Sequence, residues 1–352
     1  MTRASRAPLE RVRGPVLALL PLAALGAAWL ALSVGSSGAR FGDSLAILWA
    51  NLHGVARGSE LERSILLDIR LPRVILALVT GMSLATAGAT FQAVFRNPLA
   101  DPFLLGVAGG GALGAAVARG LALDFRIFGV GPPQALGFAG ALVTIFLVYR
   151  LARVGGRLPT QTLLLAGVIV SFFLSAVIML FITLYPDRYV EGVMFWMMGS
   201  LTALNVSREV LLVVSVYALG LCAALFVFAR RMNLLLLGEE AARHLGVDVA
   251  RTKRALFVLA SVVTGLVVSV SGVIGFVGLI VPHLGRMALG ADHRFLLPAS
   301  ALLGGIFLLF ADTIARTAFL PLEIPVGVVT AMAGAPFFIY LLRSGRREVG
   351  IE

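Results

Sequence analysis

Charge is scarce in this chain of 352 residues: Asp, Glu, Lys and Arg together supply 13%, where a soluble globular domain carries about 25%. Cysteine occurs once, at Cys222, which excludes a disulfide scaffold. The basic residues are scattered and form no patch, which excludes a nucleic-acid-binding surface. Disorder is excluded as well, because 59% of the residues are hydrophobic and such a chain has ample apolar surface to bury. With a mean hydropathy of +0.97, what remains is the composition of an integral membrane protein. Apart from Lys253 every basic residue is Arg, a bias to which we attach no mechanism.

Long uncharged runs locate the crossings. A helix rises 1.5 Å per residue, so about 20 apolar residues cross about 30 Å of hydrocarbon. Six runs meet this plainly, at 15–35, 74–95, 127–149, 161–184, 210–229 and 324–342. Two more, 102–118 and 295–311, are uncharged over 17 residues, short but sufficient where Gly-rich helices pack inside a bundle. The run 255–285 holds 31 uncharged residues, about 46 Å as one helix, and Ser271-Gly272 is read as the turn that makes two spans of it. Residues 15–35 follow four arginines as a signal peptide would, but 21 residues exceed the usual core of about 7 to 15. They are read as a retained first span.

The basic residues test this count, because Lys and Arg accumulate on the cytoplasmic side. Ten spans with the N-terminus inside place 19 of the 29 basic and 8 of the 18 acidic residues on the inner face, so the net charge of +11 is all cytoplasmic. A single span over 255–285 leaves 15 basic residues inside and 14 outside and erases the bias. The expected fold is therefore an all-α membrane protein of about ten transmembrane helices, a single domain over residues 1–352. Its parts are a cytoplasmic N-terminus over 1–14, an outer loop over 36–69 and a cytoplasmic loop over 231–253. Within the outer loop, Phe41, Leu45, Leu48, Trp49 and Leu52 recur at helical spacing and predict a helix on the membrane surface.

An offset of 184 residues aligns Arg70 with Arg254, Gly81 with Gly265, Gly88 with Gly272, Pro98 with Pro282 and Gly106 with Gly290. These matches predict two halves inverted in the membrane, as in many transporters; chance is the alternative. Glycines crowd the third span and the seventh and eighth, and their default role is close helix packing, with none assigned to a substrate.

Ionisable groups inside a bilayer cost about 2.5 to 3.5 kcal/mol each and mark ion or proton pathways. Almost none occur here; Asp312, Arg316 and Glu323 stand at or near the outer ends of the ninth and tenth spans. Energy is then expected from another chain, with an ion-coupled secondary transporter as the alternative. Of the four histidines only His283 is near a span, and it is read as a hydrogen-bonded residue at a span end. His53, His244 and His293 fall in loops, so no metal site and no resident cofactor are expected.

The inner segment Asn233 to Val249, NLLLLGEEAARHLGVDV, has the punctuation of a docking element. Glu239 and Glu240 open a short helix at its positive end, Arg243 and His244 lie in its last turn, and Gly246 suits the left-handed residue that ends it. Leu234 to Leu237 precede it as an apolar turn, resting on the chain's own inner surface or inserted into a groove of a cytoplasmic partner.

Several strings, in order, carry a resemblance: RLPR at Arg70 to Arg73, FRNPLADPFLLGV at Phe95 to Val107, LLLAGV at Leu163 to Val168 and FWMMGSL at Phe195 to Leu201. The second half adds LLLLGEEAARHLGV, GFVGLIVPHLGR at Gly275 to Arg286, DHRFLLP at Asp292 to Pro298 and EIPVGVVTAMAGAPFFIYLL at Glu323 to Leu342. From about residue 70 to 343 the chain resembles the permease family of ATP-binding-cassette importers for ferric siderophores, haem and cobalamin, of the FecCD and BtuC type. The resemblance implies a permease subunit of the bacterial inner membrane that imports a metal chelate by alternating access, with both termini cytoplasmic and no covalent chemistry of its own. It implies a homodimer, two cytoplasmic ATPase subunits that use the ATP, and a periplasmic or lipid-anchored binding protein. It implies coupling to the ATPase through Gly238, Glu239, Glu240, Ala241, Leu245 and Gly246, docking of the binding protein on Arg70, Arg73 and Arg316, and a cytoplasmic gate at Thr160 and Gln161. The fifth and tenth spans would line the path, with the eighth nearby. Pro159 departs from the family pattern at the gate, and anchoring of the second span in the interface is the alternative role for Arg70 and Arg73.

Overall fold

The computed structural model describes residues 7–35, 43–55, 57–127, 129–153, 159–184, 194, 196–202 and 206–349. Fourteen α-helices are named here among them: α1 (Ala7–Ser33), α2 (Asp43–Leu52), α3 (Glu60–Ser64), α4 (Leu71–Phe95), α5 (Val107–Gly120), α6 (Pro132–Ala152) and α7 (Thr160–Leu184). The second half holds α8 (Arg208–Val227), α9 (Ala229–Leu236), α10 (Glu239–His244), α11 (Val249–Ser271), α12 (Val277–Leu289), α13 (His293–Thr317) and α14 (Val326–Val349). Seven helical runs are long and apolar enough to cross a membrane unaided. The remaining expected crossings fall on the short helices α5 and α12 and on α14, whose apolar part is Val326–Tyr340.

The 31-residue run breaks where expected. α11 ends at Ser271, Gly272 takes φ +67°, and Phe276 takes φ +69° just before α12 begins. The stretch 102–118, by contrast, is not one helix. Asp101 caps a 3₁₀ turn, Pro102–Leu105, and Gly106 at φ +77° redirects the chain into α5. Fourteen residues of α5 extend only about 21 Å, so the flanking turn completes that depth from within the protein, where irregular backbone is tolerated.

The outer segment 36–69 is corrected more deeply. Ser59 and Glu62 form a reciprocal capping box, Ser59 N–H donating to Glu62 Oε2 at 2.8 Å and Glu62 N–H to Ser59 Oγ at 3.2 Å. From there α3, a π-helical turn over Ile65–Arg70 and α4 run on without interruption for 36 residues, about 54 Å. The second span therefore projects well beyond the hydrocarbon on the outer side, and Arg70 and Arg73 stand on a helix instead of in a loop. α2 forms as the apolar spacing predicts, with Leu45, Trp49 and Leu52 exposed; Phe41 lies outside the described residues.

α4 is the buried axis of the bundle, packed against α13, α11 and α12. Lipid tails are as apolar as leucine, so such helices associate through close contact, which small residues permit. At Gly81 an added Cβ would overlap the carbonyl of Gly304 on α13, and at Gly88 the carbonyl of Gly278 on α12. α5 meets α6 in the same way through Gly110 and Gly140. Glycine crowding is thus a packing signal, as expected.

The two halves correspond element by element. Gly81 of α4 faces Gly304 of α13, and Gly265 of α11 faces Ala141 of α6; the short helices α5 and α12 occupy matching places. The 184-residue register has failed by Gly88 and Gly272, since Gly88 is inside α4 and Gly272 ends α11 at φ +67°. Pro98 is in a turn whereas Pro282 is inside α12, because the first half has eleven residues between its helices where the second has five.

Candidate coupling and docking sites

At the inner end, α9 and α10 form the expected loop. Gly238 at φ +109° separates the two helices and Gly246 at φ +82° ends the second, geometry that a side chain would strain. Glu239 accepts from Lys253 Nζ of α11 at 2.6 Å and lies 3.6 Å from Arg243. The hydrogen bond from Lys253 holds the Glu239 carboxyl below the usual carboxylate range. Asp248 caps α11, accepting from the Arg251 N–H at 3.0 Å. The leucine turn divides: Leu235 is buried against the chain, while Leu237 and Leu245 are 64% and 57% exposed. Glu240 is exposed beside them and Ala241 half-buried. Part of the turn thus rests on the chain's own surface and part of it does not.

Asn233 does more than bound this turn. It lies inside α9, where its Nδ2 donates to Asp292 Oδ1 at 2.6 Å and its Oδ1 accepts from the His293 N–H at 2.8 Å. This clamps α9 to the start of α13. Its sequence signal is weak, a polar residue ahead of four leucines. Asp292 also receives Arg294, the main reason its carboxyl stays ionised far into acid.

At the outer end Arg70, Arg73 and Arg316 come together, but they are not exposed. They are 8%, 8% and 9% accessible, and each is engaged by the chain itself. Arg73 Nε donates to Asp312 Oδ1 at 2.9 Å and its Nη1 to Glu323 Oε2 at 2.8 Å. Arg316 lies 3.7 Å from Asp312 and donates to the Ala31 carbonyl, while Arg70 donates to the Leu32 carbonyl at 2.8 Å. The expected free docking cations are thus corrected to an internal network joining the ends of α1, α4 and α13. The cause is the helical extension of α4, which points Arg73 into α13, 239 residues away in sequence. Glu323, half-exposed, is the part that reaches the surface. Beside the network a cleft of about 660 Å³ is lined by Asn51, Glu60, Arg63, Asp68 and Arg208, with Arg208 paired to Asp68; sequence reasoning did not find it.

Thr160 and Gln161 open α7, with Gln161 exposed; the Thr160 side chain and residues 154–158 of the gate turn lie outside the described residues, as does Phe195. His283 is inside α12 and not at a span end, its ring edge-on to Phe337 of α14 at 6.0 Å.

Residues 22–344 match the family model described as the FecCD transport family. The chain belongs to that family. Among its relatives is the cobalamin import system permease protein BtuC of Halobacterium salinarum, 49% identical over 290 residues, which cover 82% of this chain and 76% of the relative. The hemin transport system permease protein HmuU of Yersinia pestis is 43% identical, covering 80% and 84%. The Fe(3+)-citrate import system permease protein YfmD of Bacillus subtilis is 38% identical, covering 90% and 91%. A solved structure described as a metal-chelate type ABC transporter in an inward-facing conformation superimposes with a TM-score of 0.78 at 31% identity, covering 94% of this chain and 99% of that one. The FecCD match thus takes in both ends of the bundle, the α9–α10 loop and the arginine network alike.

Proposed function

We propose that this chain is the membrane permease subunit of an ATP-binding-cassette importer that moves a metal chelate inward by alternating access. Its cargo class is a ferric siderophore, haem or cobalamin, a range supported by relatives named for cobalamin, hemin and ferric citrate. The observation that carries the reading is the α9–α10 element. In a FecCD-family chain, exposed Glu240 stands on α10 between exposed Leu237 and Leu245, and the element is braced from behind by Lys253 of α11 and through Asn233 of α9.

The remaining assignments follow from it. Gly238, Glu239, Glu240, Ala241, Leu245 and Gly246 form the contact with two cytoplasmic ATPase subunits, and this side, with both termini, faces the cytoplasm of a bacterial inner membrane. A second copy pairs through the apolar faces of α7 and α14, where Phe172, Phe173, Met332 and Tyr340 are exposed, with Thr160 and Gln161 at the inner constriction. A periplasmic or lipid-anchored binding protein seats on the outer rim around Arg70, Arg73 and Arg316, whose three positive charges exceed the two of Asp312 and Glu323. No cofactor resides in the permease; ATP is used by its partner. The whole chain acts as one transmembrane domain.

The test is uptake by vesicles reconstituted with permease, cognate ATPase and binding protein. Accumulation should survive a protonophore while ATP is present and stop when the ATPase is made hydrolysis-deficient. Accumulation that collapses with the proton gradient, or that the permease drives alone, refutes the reading.

A further inference from the structure

A cavity of about 270 Å³ opens at the inner end of the bundle, lined by Gln92 and Arg96 at the end of α4, Asn97, Leu236 of α9, Arg286 of α12 and His293 of α13. Two features separate it from a passive gap. The first is unbalanced positive charge. Arg286 donates to Gln92 Oε1 at 2.6 Å, and neither Arg286 nor Arg96 has a carboxylate within 4.0 Å among the described residues.

The second is a buried lone pair. A carboxylate only accepts, so the bond from Asn233 to Asp292 fixes the Asn233 amide with its Nδ2 toward Asp292 and its Oδ1 toward His293. That oxygen lies 2.9 Å from His293 Nδ1, which must therefore carry the proton. In the neutral ring Nε2 is then a bare acceptor, and it has no hydrogen-bond partner among the described residues in a side chain only 1% exposed. Buried polar atoms are rarely left unpaired.

We infer that this cavity binds a phosphate-class anion that also carries a hydrogen-bond donor, either free hydrogen phosphate or a phospholipid headgroup bearing a hydroxyl or ammonium group. Guanidinium groups match phosphate oxygens in charge and in fork geometry. His293 lies in the cavity wall, and pairing its buried Nε2, which a shift of the ring would have to uncover, calls for a donor that P–OH or a headgroup supplies and a carboxylate does not. Two guanidiniums in the same wall exclude a metal cation. Occupancy would also reach the coupling element, since Arg96 is among the positive charges that favour ionised Glu239. The inference rests on the proposed function only for placing the cavity on the cytoplasmic side.

The test uses the full-length permease, purified and delipidated in detergent. Equilibrium dialysis with radiolabelled inorganic phosphate near neutral pH should show one site per chain, weakened on the order of tenfold or more in Arg96→Gln through loss of a charge-assisted bond. In the lipid arm, native mass spectrometry after exposure to phosphatidylglycerol and phosphatidylethanolamine vesicles should show one phospholipid retained by the wild type and lost in the variant. Either result supports the site and names its source. Absence of both, in wild-type protein that is monodisperse, overturns it; so does an Arg96→Gln variant that weakens ATPase attachment without changing phosphate or lipid occupancy, which would assign the cavity to an acidic side chain of the partner. Arg286→Gln repeats the comparison should Arg96→Gln fail to fold. Both arms read binding to the permease alone, so their failure is distinct from failure of ATP-driven uptake.

Discussion

Gly81 and Gly265 occupy corresponding places in the two halves, yet the same substitution should act oppositely on them. At Gly81 an added Cβ overlaps the Gly304 carbonyl oxygen, a backbone atom that no rotamer change can move. Ordinary contact begins at 3.4 Å, so α4 and α13 would have to separate by roughly 1 Å along a seam packed at crystal-like density. Overpacking of this kind costs about 1 to 3 kcal/mol, and the gain in helix propensity from Gly to Ala returns only about 1 kcal/mol. At Gly265 the nearest neighbours are the Ala141 Cβ at 3.3 Å and Phe138 ring carbons at 3.6 Å and beyond. Side chains there yield by a few tenths of an ångström and the propensity gain stands. Gly81→Ala should therefore lower the apparent unfolding temperature and Gly265→Ala leave it unchanged or raise it. Size-exclusion thermostability in one detergent, at one heating rate, makes the comparison fair where unfolding is irreversible. Equal losses in both variants, or a stable Gly81→Ala, would refute the reading of the α4–α13 seam as backbone held against backbone.

Three further outcomes are expected. Glu240→Arg should abolish association of the ATPase in a pull-down without altering permease stability, whereas Glu239→Gln should weaken it partially by releasing Lys253, since partly exposed ion pairs contribute only about 0 to 1 kcal/mol; equal effects would show that Glu239 is itself a contact. Arg73→Met alone leaves Asp312 buried without its main partner and should destabilise by about 3 to 5 kcal/mol, while Arg73→Met with Asp312→Leu should recover most of that, and binding-protein association should slow in the double variant if the network's positive surplus guides docking. Asp101, 9% exposed, has its carboxyl pushed up to about 6 by burial, against the hydrogen bond from the Phe103 N–H. The folded state then binds the extra proton, so stability falls as pH rises from about 4 to about 6 and stays low above. Asp101→Asn keeps the acceptor for Phe103, should remove that slope and should stabilise by roughly 3 kcal/mol at neutral pH; parallel pH profiles would refute it.

Periodicity made the crossings legible: the break after Ser271 and the α9–α10 loop follow from glycines, acids and apolar runs that act locally. The outer network was not legible, because its decisive partners, Arg73 and Asp312, are brought together by antiparallel packing of two helices and by no local pattern. One local signal was present and unused. Ser59 to Glu62 is a capping box, and it marks the start of the helix that carries Arg70 and Arg73 into the interior. The clamp at Asn233 lay beyond sequence reading for the same reason as the network, since its partners Asp292 and His293 come from another helix.

The register of that packing bears on how the permease moves. Eight residues along α4 from Arg73 to Gly81 are matched by eight along α13 from Asp312 to Gly304, and eleven more reach Gln92 and His293, both in the wall of the inner cavity. α4 and α13 therefore form one rod about 29 Å long, pinned by an ion pair at its outer end and by glycine contact at its middle, with α13 tied to α9 through Asn233 at its inner end. A rod held in this way transmits a push by moving as a whole. Bending it would break backbone contact at Gly81, so the change of access must fall on elements outside the seam. α7 and α14 meet that requirement: their outward faces are apolar and exposed, and α14 reaches α13 through a turn in which Glu323 alone ties it to Arg73 by an ion pair among the described residues. Inward and outward states would then differ in the tilt of α7 and α14 about a seam that keeps its Arg73 to Asp312 and Gly81 to Gly304 contacts throughout.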